Sequence, residues 1–333
     1  MAEVFRGPLF VVGMPRSGTK LLRELLIRHE RVRIPRTETE FFPQLQAYVA
    51  REGGDMSGRP RFDRMYEWCQ RIPYFRYARR RGEVISADDW YGGCRDWGAA
   101  GLFEALLRHD AGAPFGSDLI WGDKSPSYIR CIGELAAQFS SARFIHIVRD
   151  VRDQVLSSRE VWGKDMLRAA QRWSDDVGHG MAEGRQLGVR YAWLRYEDLT
   201  ADPEGALQRM CEFLAIDFRH SMLELDRAPE NLGAARDVRG ILSNNSGKYL
   251  QRLTSRQIAA IESIAGGRAE ELGYRLTAPR GPRRLSKTSM LWRQVKDAAM
   301  LIARRSRSLG FKESALFHYR YRQATSGRSR GRG

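Results

Sequence analysis

The stretch that decides the fold is Leu9-Phe10-Val11-Val12-Gly13-Met14-Pro15-Arg16-Ser17-Gly18-Thr19-Lys20. Its first five residues form a short apolar run closed by glycine, which predicts a buried strand. From Thr19 to His29, Leu21, Leu22, Leu25 and Leu26 fall at i, i+1, i+4 and i+5, which predicts an amphipathic helix. The loop between them carries a glycine at each end. Backbone amides converge in such a turn, and the positive end of the following helix adds to them, so the junction can hold a phosphate. Ser17 and Thr19 add hydroxyl donors, and Arg16 adds a forked cation suited to an oxyanion. The glycine spacing is that of a Walker A loop, but Walker A requires Lys followed by Ser or Thr, and here Thr19 precedes Lys20.

Outward from this junction, strands and helices alternate. Val32 to Ile34 is a second short strand ended by Pro35, and Asp118 to Trp121 a third, followed by a helix from Ser127 to Phe139. Arg143 to Val148 is the clearest β-pattern after the first strand, with a helix from Asp150 to Glu160 behind it. Helices follow at Met166 to Gln186, after Asp202-Pro203 and at Ser255 to Leu272, with a strand at Tyr191 to Leu194. This order predicts parallel βαβ units and a sheet covered on both faces. The stretch from Glu52 to Asp110, rich in Arg, Trp and Tyr, reads as a helical and irregular insertion covering a site.

The chain has 333 residues, 42% of them hydrophobic, enough for a real core and against a disordered or fibrous protein. No apolar run reaches the roughly 18 residues of a membrane span, and the N-terminus lacks a secretory signal, so the expected location is cytoplasmic. Cys69, Cys94, Cys131 and Cys211 show no metal-ligand spacing and read as isolated thiols. The net charge of +16 is uneven: Arg280 to Gly333 carries 15 basic and 2 acidic residues, which leaves only +3 on the other 279. A basic body built for nucleic acid is therefore disfavoured. We divide the chain into a domain over residues 1–279 and a basic extension over residues 280–333, helical and then disordered.

Four segments in order resemble the sulfotransferases that use 3′-phosphoadenosine 5′-phosphosulfate (PAPS). Gly13 to Arg23 looks like their 5′-phosphosulfate loop, with Lys20 where the family usually has a second Thr. Trp121-Gly122-Asp123-Lys124-Ser125-Pro126-Ser127-Tyr128 is similar to the Gly-Glu-Lys-Ser-Pro-x-Tyr segment of carbohydrate and bacterial branches. Arg149 to Ser158 resembles the 3′-phosphate motif, and Tyr196-Glu197-Asp198-Leu199 the segment after a late strand. The resemblance runs from Leu9 to Leu276. It implies a P-loop-like α/β fold, a central parallel β-sheet flanked by helices with a helical insertion over the active site. It also implies transfer of a sulfuryl group from PAPS, without a metal, to a hydroxyl acceptor: carbohydrate, lipid, small molecule or peptide tyrosine.

The resemblance also implies roles. Arg16, Ser17, Gly18, Thr19 and Lys20 would hold the 5′ end of the cofactor, and Arg149 and Ser157 its 3′-phosphate. Tyr196 would reach the nucleotide, and Lys248, in a late loop from Arg236 to Tyr249, would close over it. Arg16 and Lys124 would stabilise the leaving phosphate. Thr37-Glu38-Thr39-Glu40-Phe41-Phe42 is similar to the stretch that carries the base. Glu38 is favoured over Glu40 there, and His29 and His146 are weaker candidates, His146 reading as a satisfied core residue. Arg152 and Asp153 read as a solvated helix pair, and Arg79-Arg80-Arg81 as a solvated cluster. In the extension, Met290, Leu291, Trp292, Val295, Ala298, Ala299 and Ile302 line one face of a helix, for packing on its own domain or for docking on a membrane or partner. Two rival readings stay open: a P-loop kinase or NTPase, and a non-catalytic protein associated with membrane or nucleic acid.

Overall fold

The structure is a computed structural model and describes residues 4–229, 232–233, 236–243, 245–277 and 283–309. Five strands form one parallel sheet: β1 Leu9–Gly13, β2 Val32–Arg33, β3 Ile120–Asp123, β4 Arg143–Val148 and β5 Tyr191–Arg195, in the order β2-β3-β1-β4-β5. The helices are α1 Thr19–Leu26, α2 Phe42–Arg51, α3 Arg59–Cys69, α4 Pro73–Arg80, α5 Ala87–Gly93, α6 Ala99–Ala111 and α7 Ile132–Gln138. They continue with α8 Val151–Trp162, α9 Met166–Gln186, α10 Tyr196–Ala201, α11 Pro203–Leu214, α12 Tyr249–Arg252, α13 Ser255–Glu271 and α14 Lys287–Leu309.

β1 is buried along its whole length because β3 and β4 flank it and helices cover both faces. Its residues alternate between two cores. Phe10 and Val12 pack with the insertion, α8, α9 and α13, whereas Leu9 and Val11 pack with Leu22, Leu25 and Leu26 of α1 and Leu207 and Leu214 of α11. Phe144 and Ile145 of β4 divide in the same way. The chain leaves β1 toward β2 on one side and enters β4 on the other. The loops after β1 and β4 therefore diverge, which opens a crevice at the carboxyl ends of these two strands, where open α/β sheets bind ligands.

The insertion is helices α2 to α6, held by an aromatic cluster in which Phe41, Phe42, Phe62, Phe75, Trp90 and Phe103 are buried. Boundaries differ from the sequence reading in several places. β3 runs two residues further, to Asp123. The segment expected as one helix from Ser127 is a 3-10 turn, Pro126–Arg130, and then α7 after a break at Cys131, whose ψ of 21° and φ of −134° are not helical. A short unforeseen helix, α10, directly follows β5. The domain edge read at residue 279 and the disordered end of the extension lie outside the described residues. Among the described residues, no helix is long and apolar enough to cross a membrane.

Candidate active site

The loop from Met14 to Gly18 leaves β1 and turns back so that the Ser17 amide donates to the Met14 carbonyl at 3.1 Å. Two residues take left-handed backbone conformations, Arg16 at φ 74° and Gly18 at φ 94°. Gly18 is needed: a Cβ there would collide with the ring of Tyr196. Arg16 has no such excuse, and strain of this kind persists where the surroundings over-determine it. They do so here. Its Nε donates to Ser157 Oγ at 3.1 Å, one Nη donates to the Leu232 carbonyl at 3.0 Å, and the guanidinium lies 5.9 Å from the Trp162 ring centroid. Ser17 is fully buried, and its Oγ has no partner among the described residues.

Arg149, the first residue after β4, closes the other side of the crevice. One Nη donates to the Arg16 carbonyl at 3.1 Å and the other to the Asn245 carbonyl. The guanidinium lies over the Tyr196 ring at 4.5 Å. Arg149 is buried, and its Nε has no partner among the described residues. Arg16, Gly18, Arg149, Ser157, Tyr196, Asn245 and Lys248 thus line one narrow pocket. Six of these seven were singled out from the sequence. Asn245 was not, although it is central: its carbonyl takes Arg149, its Nδ2 donates to Tyr196 Oη at 2.7 Å, and its Oδ1 accepts from Lys248 Nζ at 2.6 Å. Burial lowers the Lys248 ammonium from its ordinary value.

The supporting residues correct one expectation. Arg152 and Asp153 are not a solvated pair; both are buried. Arg152 is clamped between Asp150, at 2.6 Å, and Glu262, at 2.7 Å. The Asp153 carboxylate accepts from the amides of Gly247, at 2.6 Å, and Tyr249, at 3.0 Å, which ties the late loop to α8. Glu197 accepts from the Asp150 amide at 3.0 Å and from Tyr274 Oη at 2.8 Å. The Tyr-Glu-Asp-Leu segment therefore fixes both the ring beneath Arg149 and the start of α8.

A second, larger cleft of about 1200 Å³ meets the first at Arg16, which lines both. Its walls include Thr19 and Lys20 of α1, Glu38, Glu40, and Tyr48 and Trp68 from the insertion. Lys20, expected with the phosphate loop, lines this cleft, as Glu38 does. The Glu38 carboxylate is about one-third exposed and bonds to Lys124 Nζ. Lys124 is only 1% exposed, so it sits behind Glu38 rather than in the open, and burial lowers its ammonium from its ordinary value. The structure thus sets Lys124 beside the expected base. Glu40 lies at φ 53°, with its amide donating to Ser125 Oγ at 3.2 Å. Arg79, Arg80 and Arg81 are exposed, as expected.

The histidines are placed elsewhere. His29 is buried, with Nε2 on the Asp217 carbonyl and Nδ1 accepting from the Arg31 amide, both at 3.0 Å. His146 meets Tyr191 Oη at 2.7 Å, but its Nε2 has no partner among the described residues, so it is only half satisfied. Burial pushes its imidazole down to about 3.

Asp123 is the last residue of β3. It is fully buried, and burial pushes its carboxyl up to about 7, although hydrogen bonding from Ser125 and the charge of Lys124 pull it down. A raised folded-state pKa means that the native protein holds a proton the unfolded chain has lost, so stability falls as pH rises from about 4 through 7. Asp123→Asn cannot lose that proton. Its melting temperature relative to wild type is expected to climb across this window, by several degrees in all; parallel curves in thermal melts at pH 5 and pH 8 would refute the charge effect.

A sequence model of the sulfotransferase family matches residues 8–220. The chain belongs to the sulfotransferase family. This sulfotransferase-family chain is 26% identical over 222 residues to a protein-tyrosine sulfotransferase 1 of Danio rerio, covering 65% of this chain and 55% of that one. It is 24% identical over 276 residues to an uncharacterized protein of Aquifex aeolicus (strain VF5), covering 78% of this chain and 32% of that one. The family member thus spans a third to a half of the length of these relatives. Among solved structures, a sulfotransferase domain from the curacin biosynthetic pathway shares the fold, with a TM-score of 0.52 at 18% identity over 82% of this chain and all of that one.

Proposed function

We propose that the protein transfers a sulfuryl group from PAPS to a hydroxyl-bearing acceptor by in-line displacement. The observation that carries this is the convergence of the two crevice loops: Arg16 reaches Ser157, and Arg149 reaches back to the Arg16 carbonyl. A sulfuryl donor with phosphates at both the 5′ and 3′ positions needs two anion sites side by side, and this pairing supplies them. The residues fit such a ligand. Ser17 Oγ and Arg149 Nε are buried polar atoms without partners among the described residues, and buried polar groups of this kind call for one. Ser17, Gly18, Thr19 and Lys20 would hold the 5′ end, Arg149 and Ser157 the 3′-phosphate, and Tyr196 and Lys248 the nucleoside side.

PAPS brings the sulfuryl group already activated as a mixed anhydride, so the protein has to align, deprotonate and neutralise. Glu38, on the wall of the larger cleft, takes the proton of the acceptor hydroxyl. Lys124, buried behind it, holds the carboxylate in place. Arg16, where the two cavities meet, neutralises charge growing on the departing phosphate oxygen, and its bond to Ser157 fixes the guanidinium. Tyr48, Trp68 and Tyr77 give the acceptor cleft an aromatic wall, against which the body of a hydroxyl-bearing acceptor would pack.

Calorimetric titration with 3′,5′-ADP in EDTA tests the reading, with 5′-ADP as control. Micromolar binding of the 3′,5′ isomer, at least tenfold tighter than 5′-ADP, is expected. Tighter binding of 5′-ADP that needs Mg²⁺ would replace sulfuryl transfer with a kinase or NTPase activity.

A further inference from the structure

The helix α14 has two faces of opposite character. Its inner face is tied to the domain by ion pairs. Arg293 reaches Asp165 at 2.6 Å, and Asp297 accepts from Arg168 at 2.8 Å and from the Asp165 amide at 2.7 Å. On that side Met290, Gln294 and Ala298 complete the wall of the acceptor cleft. The outer face is apolar and open: Leu291 is 62% exposed, Trp292 64% and Val295 58%. Ten large hydrophobics are exposed among the described residues, and three of them, Leu291, Trp292 and Val295, share this face. Scattered exposed hydrophobics are ordinary, but a run on one helix face is not.

The charge around the face says what would cover it. At about 100° per residue, Leu291, Val295 and Trp292 span an arc of about 100°, with Lys287 at one edge and Lys296 at the other. The sequence of the helix adds Arg304, Arg305 and Arg307, and residues 280–333 together carry +13 on a body that is nearly neutral. Apolar residues with a tryptophan, bordered by lysines and backed by a concentrated positive charge, match the boundary of an anionic lipid bilayer. A protein partner would not require that charge, and a second copy would be repelled by it.

We propose that the outer face of α14 docks the protein on anionic membrane surfaces. Leu291, Trp292 and Val295 enter the headgroup boundary, while Lys287 and Lys296 at its edges meet the lipid charge. Because the inner face of the same helix walls the acceptor cleft, docking brings that cleft to the interface. The surface goes beyond the sulfuryl-transfer reading and stands without it.

Co-sedimentation of the full chain with phosphatidylcholine vesicles, with and without 30% phosphatidylglycerol, tests it at about 0.1 M salt. Binding to the anionic vesicles at least tenfold above the neutral ones is expected. The variant Leu291→Glu/Trp292→Glu should lose at least tenfold of that binding with its melting temperature and 3′,5′-ADP affinity unchanged, and Trp292→Ala should fall between. Equal binding to both vesicle types, no binding to either, or unchanged binding in the double variant would overturn the proposal. So would a wild-type dimer, seen by analytical ultracentrifugation, that the double variant converts to a monomer. Loss of 3′,5′-ADP binding by the wild type would count against the transfer reading and leave the vesicle result standing.

Discussion

Arg149→Ala is expected to weaken 3′,5′-ADP binding by about ten- to 150-fold and 5′-ADP binding far less. The range corresponds to the roughly 1.5–3 kcal/mol of a hydrogen bond to a charged group. On the proposed reading, Arg149 receives an anion. It is 6% exposed, and among the described residues no carboxylate forms a salt bridge with it, although Asp153 feels its charge. Two of its nitrogens are occupied by the carbonyls of Arg16 and Asn245, and the third is buried without a partner. Neutral carbonyls orient a guanidinium but do not neutralise it, so a phosphate gains both charge and geometry there. Arg149→Lys should recover part of the affinity, because it keeps the charge and loses the fork. Calorimetry with both nucleotides separates this from a structural effect: if the variant weakens both equally, Arg149 props up the loop and does not read the 3′-phosphate.

Glu38→Gln is expected to lower turnover by 10²- to 10⁴-fold with any acceptor the wild type uses, the range for removing a general base. Nucleotide affinity should stay within about twofold, since Glu38 lines the larger cleft and not the narrow pocket. The change also strands Lys124, which is buried against Glu38, and an unpaired buried cation is costly. The single variant should therefore melt lower than wild type. The double variant Glu38→Gln/Lys124→Met should regain stability and remain inactive, which separates the chemistry from the fold. Wild-type turnover in Glu38→Gln would remove it as the base and pass the role to Glu40, the other carboxylate of that loop in the cleft wall.

Local signals carried most of the fold. The five residues of β1 and the apolar Phe144, Ile145, Ile147 and Val148 of β4 are readable because a strand buried on both faces has no reason to alternate. α9 was read to the residue, Met166–Gln186, since its apolar periodicity persists over 21 residues. β3 was misplaced by two residues because Asp123 reads as a loop residue, whereas the sheet buries it as the last residue of the strand. Arg152 and Asp153 were misread for the same reason. A charged pair on a helix is ordinarily solvated, and only Glu262 from α13 and the amides of Gly247 and Tyr249 make burial tolerable.

The sequence by itself determined the glycine-bounded loop between β1 and α1, the order of strands and helices, and the concentration of positive charge near the C-terminus. Each depends on residues adjacent in the chain or spaced by one helical period. The tertiary structure alone decided that Arg149 caps the Arg16 carbonyl from 133 positions away, that Asn245 joins Arg149, Tyr196 and Lys248, and that Lys124 backs Glu38 across 86. It also decided which face of α14 meets the domain, because Arg293 and Asp297 find their partners on Asp165 and Arg168. Pairings of this kind depend on how β4, α9 and the late loop pack around the sheet, and no local pattern in the chain encodes that packing.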